Sequence, residues 1–178
     1  MRPEDFVVLY SGNIGAKQGL DVLLAAAERL KDRPDLHVII AGEGPVKADL
    51  EKRYGHLPAV RFLPFQPYER LNEFLNLADL HALPQERGAA DLVLPSKLGG
   101  MLASGRPVVV TADIGTELAT FVAGAAVVVP PGDAGALADA IVAAIAERQS
   151  RDPGPQMDRV RGLSKDEGLA RLIESLAP

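Results

Sequence analysis

Six short, mostly apolar runs recur along the chain, and most are separated by helix-period stripes. The runs cover residues 6–10, 36–41, 60–63, 80–83, 107–111 and 125–129. At 7–9, 38–40, 108–110 and 127–129 every residue is β-branched or aliphatic, with no polar alternation. A strand covered on both faces reads this way, whereas a strand with one wet face alternates. Between the runs, Leu20, Leu23, Leu24, Ala27 and Leu30 share one helical face, and Leu137, Ile141 and Ile145 share another. Leu169, Leu172, Ile173 and Leu176 form a last short stripe, and shorter helices are predicted over 46–54, 67–76, 96–104 and 116–122. The pattern predicts an α/β fold. It is an open parallel sheet of about six strands with helices on both faces and right-handed crossovers; if the strand order is 3-2-1-4-5-6, the sheet is Rossmann-like.

Length and charge narrow the function classes. The 178 residues suit one domain. Hydrophobic residues at 47% supply enough core to exclude a disordered chain. A net charge of −5 argues against a nucleic-acid partner, so any bound polyanion must be met by local cations. The lack of cysteine excludes disulfides, zinc–thiolate sites, iron–sulfur clusters and thiol nucleophiles together. No run of about 18 apolar residues is present. The charged first residues enter a strand almost at once, leaving no room for a signal peptide, and the expected compartment is the cytoplasm. Residues 150–156, with two prolines and a glycine, read as the one linker-like stretch. Beyond it, 157–178 read as a C-terminal helix leaving the sheet.

In an open α/β sheet, ligands bind beyond the carboxyl ends of the strands, at the switch point. With the expected order, the loops after strands one and four flank that crevice. The first loop carries Gly12, Asn13, Gly15, Lys17 and Gly19, and the helix after it is predicted to begin near Gln18. Glycines there let backbone N–H groups approach an anion, and Lys17 adds a cation. The loop is not a triphosphatase P-loop, because Gln18 follows the lysine, and Gly12, Gly15 and Gly19 do not have dinucleotide spacing. After the fourth strand, Pro95 or Ser96 starts a helix, with expected free N–H groups at Ser96, Lys97 and Leu98. Two lysines and two helix starts side by side suit a diphosphate. The loops after strands two and three place Glu43, Gly44, Phe65 and Gln66 at the same sheet end, with Phe65 either flanking a flat base or packing under the next helix. Glu43 also occupies the place of a ribose-binding acid in a dinucleotide fold. His37, His56 and His81 have no metal-ligand spacing, so no metal is expected; His37 and His81 read as core or edge residues. Asp133 reads as the N-cap of the long helix after strand six.

The segments SGNIGAKQG, AGEGP, PSKLGGMLASGRPVV and VVPPGD, in this order and spacing, resemble the C-terminal half of a retaining glycosyltransferase of the two-Rossmann (GT-B) architecture, family 4. The likeness covers about residues 6–148 and is greatest to the colanic-acid and exopolysaccharide type. It implies a hexosyltransferase acting on a lipid-linked polysaccharide unit. Its donor is a nucleoside-diphosphate sugar of UDP or GDP type, and no further cofactor or metal is needed. On the family pattern Gly12, Asn13, Lys17, Ser96, Lys97 and Leu98 hold the diphosphate. Glu43, Gly44, Phe65 and Gln66 surround base and ribose, and no catalytic residue is assigned. An N-terminal acceptor domain is the expected partner, toward which 157–178 pack, and this half alone is expected to be inactive. The full-length enzyme is expected at the inner face of the plasma membrane, held through its other half. One departure is Gly100, where many relatives carry a glutamate, with Leu92 at the paired position; Glu86 and Asp91 are the nearby acids. Two other classes compete: a nucleotide or dinucleotide-binding module resting on Glu43, and an epimerase-like domain needing His81 in the cleft.

Overall fold

The apolar runs pair side by side in one parallel sheet of order β3-β2-β1-β4-β5-β6. The strands are β1 (Phe6–Ser11), β2 (Leu36–Ala41), β3 (Val60–Leu63), β4 (Leu80–Leu83), β5 (Val108–Thr111) and β6 (Val127–Val129). These come from a computed structural model that describes residues 2, 4–88, 94–148, 154, 156 and 158. The stripe over Leu169–Leu176 lies outside the described residues, as does Asp91. β1 is the hinge of the topology. It pairs with β2 from Phe6↔Leu36 to Ser11↔Ala41 and with β4 on its other side, so the chain reverses direction across the sheet at this strand.

Both faces are covered, which is why the strands show no alternation. On one face α1 (Leu20–Arg29), α2 (Lys47–Tyr54) and α6 (Ala134–Ala146) bury Phe6, Val8, Tyr10, Val38, Ile40 and Val109. The other face carries α3 (Leu71–Asn76), α4 (Lys97–Ala103) and α5 (Glu117–Phe121). There Val7, Leu9 and Ile39 meet Phe74, while Leu83, Val108 and Val110 meet Leu98, Met101, Leu102 and Leu118.

Several boundaries differ from expectation for local reasons. The helix predicted from Gln18 is a 3-10 turn, Ala16–Gln18, and α1 starts only at Leu20. Gly19 intervenes at φ 58°, a left-handed conformation that breaks the helix. Residues 67–76 likewise split into a 3-10 turn, Tyr68–Arg70, and α3. Pro107 lies outside β5 but still accepts the His81 N–H at 2.8 Å through its carbonyl. Asp133 caps α6 as expected, accepting the Ala136 N–H at 2.8 Å.

Below the sheet, polar groups tie the strand entries together. Asp79 accepts the Val7 N–H at 2.9 Å and pairs with Arg148 at 3.0 Å, while Arg148 also donates to the Glu4 carbonyl at 3.2 Å. Asp5 accepts the Arg2 backbone N–H at 2.6 Å, the Arg2 guanidinium at 2.9 Å and His37 Nε2 at 3.1 Å. The Arg2 backbone bond is the main cause that holds the Asp5 carboxyl down to about 2. A pKa lowered on folding adds stability that is complete above the unfolded value, near 4, and is lost as pH falls toward 2. The urea midpoint is therefore expected to drop between about pH 4 and 2, and Asp5→Asn to flatten that drop. An equal acid slope in both proteins would contradict the assignment.

Candidate functional site

The carboxyl ends of β1, β2 and β4 meet in a set of loops that backbone contacts lock together. Beyond the last strand pairs, Gly12 N–H donates to Ala41 O and Ile14 N–H to Glu43 O, both at 2.9 Å. Gly42 and Gly44 are glycines because the first loop passes over them. A Cβ at Gly42 would stand 1.8 Å from the Gly12 carbonyl oxygen, and one at Gly44 would stand 2.1 Å from that of Ile14. The loop after β4 is joined to the same group. Glu86 N–H donates to Lys17 O at 3.1 Å, and a Cβ at Gly19 would meet the Gln85 backbone at 2.8 Å. Buried Thr111 on β5 pins this loop, accepting the Gln85 N–H at 2.7 Å and donating to its carbonyl at 2.8 Å.

Lys97 reaches into this junction from α4. That helix packs on one face of the sheet, while Tyr10 points into the core of the other. The lysine side chain crosses the end of the sheet at Gly12, where a Cβ would lie 2.9 Å from Nζ. Nζ donates to the Tyr10 hydroxyl at 2.7 Å and lies 4.1 Å from the centroid of the Tyr10 ring. The Tyr10 hydroxyl in turn donates to the Asn13 carbonyl. Among the described residues Lys97 makes no ion pair with a carboxylate. Burial pulls its pKa from the usual lysine range down to about 8, and burial pushes the Tyr10 phenol up. A half-buried ammonium with only a neutral partner is costly to hold and ready to receive an anion.

The other expected residues fall as follows. Lys17 is exposed on the 3-10 turn, in the loop joined to that after β4. Asn13 is exposed, with its backbone carbonyl held by Tyr10. Ser96 is exposed at the start of α4 and makes no side-chain cap. Leu98 departs from expectation: its N–H is not free but donates to Pro95 O at 2.9 Å, and its side chain is core. Phe65 does not pack under α3; it is 56% exposed, with Cε1 3.5 Å from where a Gly42 Cβ would be. Gln66 turns back on its own loop, donating to Pro64 O at 3.0 Å. Glu43 pairs with Lys47 at 2.8 Å at the start of α2. Gly100 faces a groove of about 400 Å³ between α3 and α4, lined also by Tyr68, Asn72, Leu75 and Ser104. His81 is fully buried, its Nε2 3.1 Å from Ser104 Oγ at the far end of α4 from Lys97, and burial lowers its pKa to about 4. That position does not serve acid–base chemistry in the cleft. No group of three metal-binding side chains stands together, and no helix is long and apolar enough to cross a membrane, among the described residues.

Sequence reasoning missed Tyr10, Gly42 and Thr111. Tyr10 and Thr111 sit inside apolar runs and read as core. For Gly42 the one sequence signal is its place in AGEGP; its positive φ is seen only in the structure.

Residues 5–147 match the family of glycosyl transferases group 1. WcaI of Escherichia coli, whose name places it in colanic acid biosynthesis as a glycosyl transferase, is 48% identical over 114 residues. That alignment covers 63% of this chain and 28% of WcaI. Among solved structures, HepE of Anabaena in complex with UDP superposes with a TM-score of 0.76 at 19% identity, covering 97% of this chain and 50% of that one. Sucrose-phosphate synthase of Thermosynechococcus elongatus superposes with a TM-score of 0.77 at 24% identity, covering 98% and 45%. The chain thus spans half or less of each of these three proteins.

Proposed function

The chain belongs to the glycosyl transferases group 1, and on that premise we propose that it is the donor-binding half of a hexosyltransferase. The donor is a nucleoside-diphosphate sugar, with UDP the first candidate, since a HepE structure of the same fold holds UDP. The observation that carries the reading is the Lys97 ammonium, held over Gly12 by a neutral phenol, with no carboxylate paired to it among the described residues.

In this reading Lys97, Lys17, Ser96 and Asn13 receive the diphosphate, and Gly12, whose N–H is spent on Ala41 O, leaves room for it by lacking a side chain. Phe65, Gln66, Glu43 and Gly44 border the base and ribose. As the bond from sugar to diphosphate breaks, negative charge grows on the leaving oxygens. Lys97 stabilises it from a fixed position, the kind of preset electrostatic help that lowers a barrier most, and Lys17 adds its charge from the loop after β1. Side chains and backbone dipoles supply the positive charge, so no metal is called for. The acceptor, a lipid-linked polysaccharide unit, and the peripheral contact with the inner face of the plasma membrane belong to a second half, across the cleft. Transfer with retention occurs only when both halves meet; this half by itself binds nucleotide and transfers nothing.

The test is a thermal-shift panel of UDP, GDP and NAD. UDP or GDP at a hundred times its Kd should stabilise the chain by about 2.7 kcal/mol. NAD should give less, because Glu43 is engaged by Lys47. A larger shift with NAD, or no shift with either diphosphate, would sink the reading.

A further inference from the structure

We propose that Tyr10 is a positioning residue for the donor diphosphate: its hydroxyl oxygen fixes the Lys97 ammonium over Gly12, and its proton fixes the Asn13 carbonyl. The inference rests on the donor reading above. The proton count makes the arrangement one-way. A phenol has one proton, and it goes to Asn13 O, so the oxygen faces Lys97 as acceptor only. The lysine on α4 and the glycine loop after β1 are 87 positions apart in the chain at the Tyr10–Lys97 bond, and one oxygen sets both.

The choice of a phenol matters chemically. An aspartate here would hold the ammonium and also neutralise it, leaving little for a ligand. The phenol orients the cation and leaves its charge in place. Burial keeps Tyr10 protonated across the working pH range. Tyr10 is the titratable side chain in contact with Lys97 among the described residues. Lys17, a like charge, and the carboxylates Glu43 and Glu86 stand on the neighbouring loops, and neither carboxylate forms an ion pair with it. The tyrosine ring itself is fully buried against the α1 face, so phenylalanine keeps the packing and removes only the hydroxyl.

The experiment is a double-mutant cycle of Tyr10→Phe and Lys97→Met in this chain, read by calorimetric titration with UDP across pH 6–9.5. Tyr10→Phe should weaken UDP about tenfold, the scale of one hydrogen bond to a charged group. It should also move the alkaline fall in affinity to lower pH, because the ammonium loses an acceptor that favours its charged form. Added to Lys97→Met, the same change should cost less than twofold. Equal losses in both backgrounds, or an unmoved alkaline limb, would show a merely structural tyrosine and overturn the inference while leaving the donor reading intact. No UDP binding by the unaltered chain would overturn both. Should Tyr10→Phe fail to fold, fluorotyrosine at all three tyrosines weakens the phenol as acceptor. The Lys97 titration midpoint, read by carbon-13 NMR, must then fall, and an unmoved midpoint rejects the idea.

Discussion

Lys97→Met is expected to weaken UDP binding about a hundredfold while making the empty chain more resistant to heat. The two effects have one cause. Folding takes the ammonium partly out of water and, among the described residues, gives it the neutral Tyr10 side chain in return; the burial is why its pKa falls to about 8. Methionine fills similar space without the charge, so the empty protein loses a penalty. The bound diphosphate loses its main counter-charge. At an effective dielectric near 20, a cation 4 Å from a phosphate oxygen is worth about 4 kcal/mol before desolvation, and a hundredfold is about 2.7 kcal/mol of that. The pH sign follows. Affinity in the unaltered chain should fall as pH rises through about 8 and the ammonium loses its proton, while Lys97→Met should show no such limb. Calorimetric titration with UDP and a melting curve without it check both. A variant that binds as well as the parent, or that melts lower with unchanged affinity, would move the anion site elsewhere.

The largest loss of stability is expected from Gly42→Ala, about 3 kcal/mol or more. Its Cβ would fall 1.8 Å from the Gly12 carbonyl oxygen, which is backbone and has no rotamer through which to yield. The position also has φ 147°, which an L side chain rarely adopts. Strain of about 1–3 kcal/mol at such a φ adds to an overpacking cost of similar size. Relief requires the loop after β1 to lift, and with it the Gly12 N–H bond to Ala41 O and the floor under Lys97. UDP affinity should therefore fall along with the urea midpoint. Gly132→Ala is the control: φ there is 79°, but a Cβ would meet nothing within 4 Å, so it should cost only about 1 kcal/mol. Comparable losses at both positions would mean that backbone conformation, not the loop crossing, sets the cost.

How far the residues announced this structure depends on how local each cause is. The unbroken runs such as Val108–Val110 read as strands covered on both faces; the rules for parallel connections fix the hand of each crossover but not the strand order, which rests on the Rossmann pattern. The two lysine loops were legible because glycines and a Pro-Ser-Lys start leave a mark in a few consecutive residues. What stayed hidden depends on partners far along the chain. Tyr10 lies within a run that reads as core, and nothing near it points to Lys97. The Leu98 N–H was counted as open because the tight bend that returns it to Pro95 has no signature in the sequence. The start of α1 slipped by two residues because Gly19 takes a left-handed conformation, at a point where the Gln85 backbone, another distant neighbour, leaves no room for a Cβ.

Arg148 has a consequence beyond the sheet entries it ties. By bonding to the Glu4 carbonyl, it brings the exit of α6 to the doorstep of β1. A unit whose two ends nearly touch behaves as a cassette. It can be spliced into a host polypeptide through a small gap, or circularly permuted with a short joint, without stretching what surrounds it. Residues 4–148 are thus suited to transplantation as one piece, carrying their anion cradle intact.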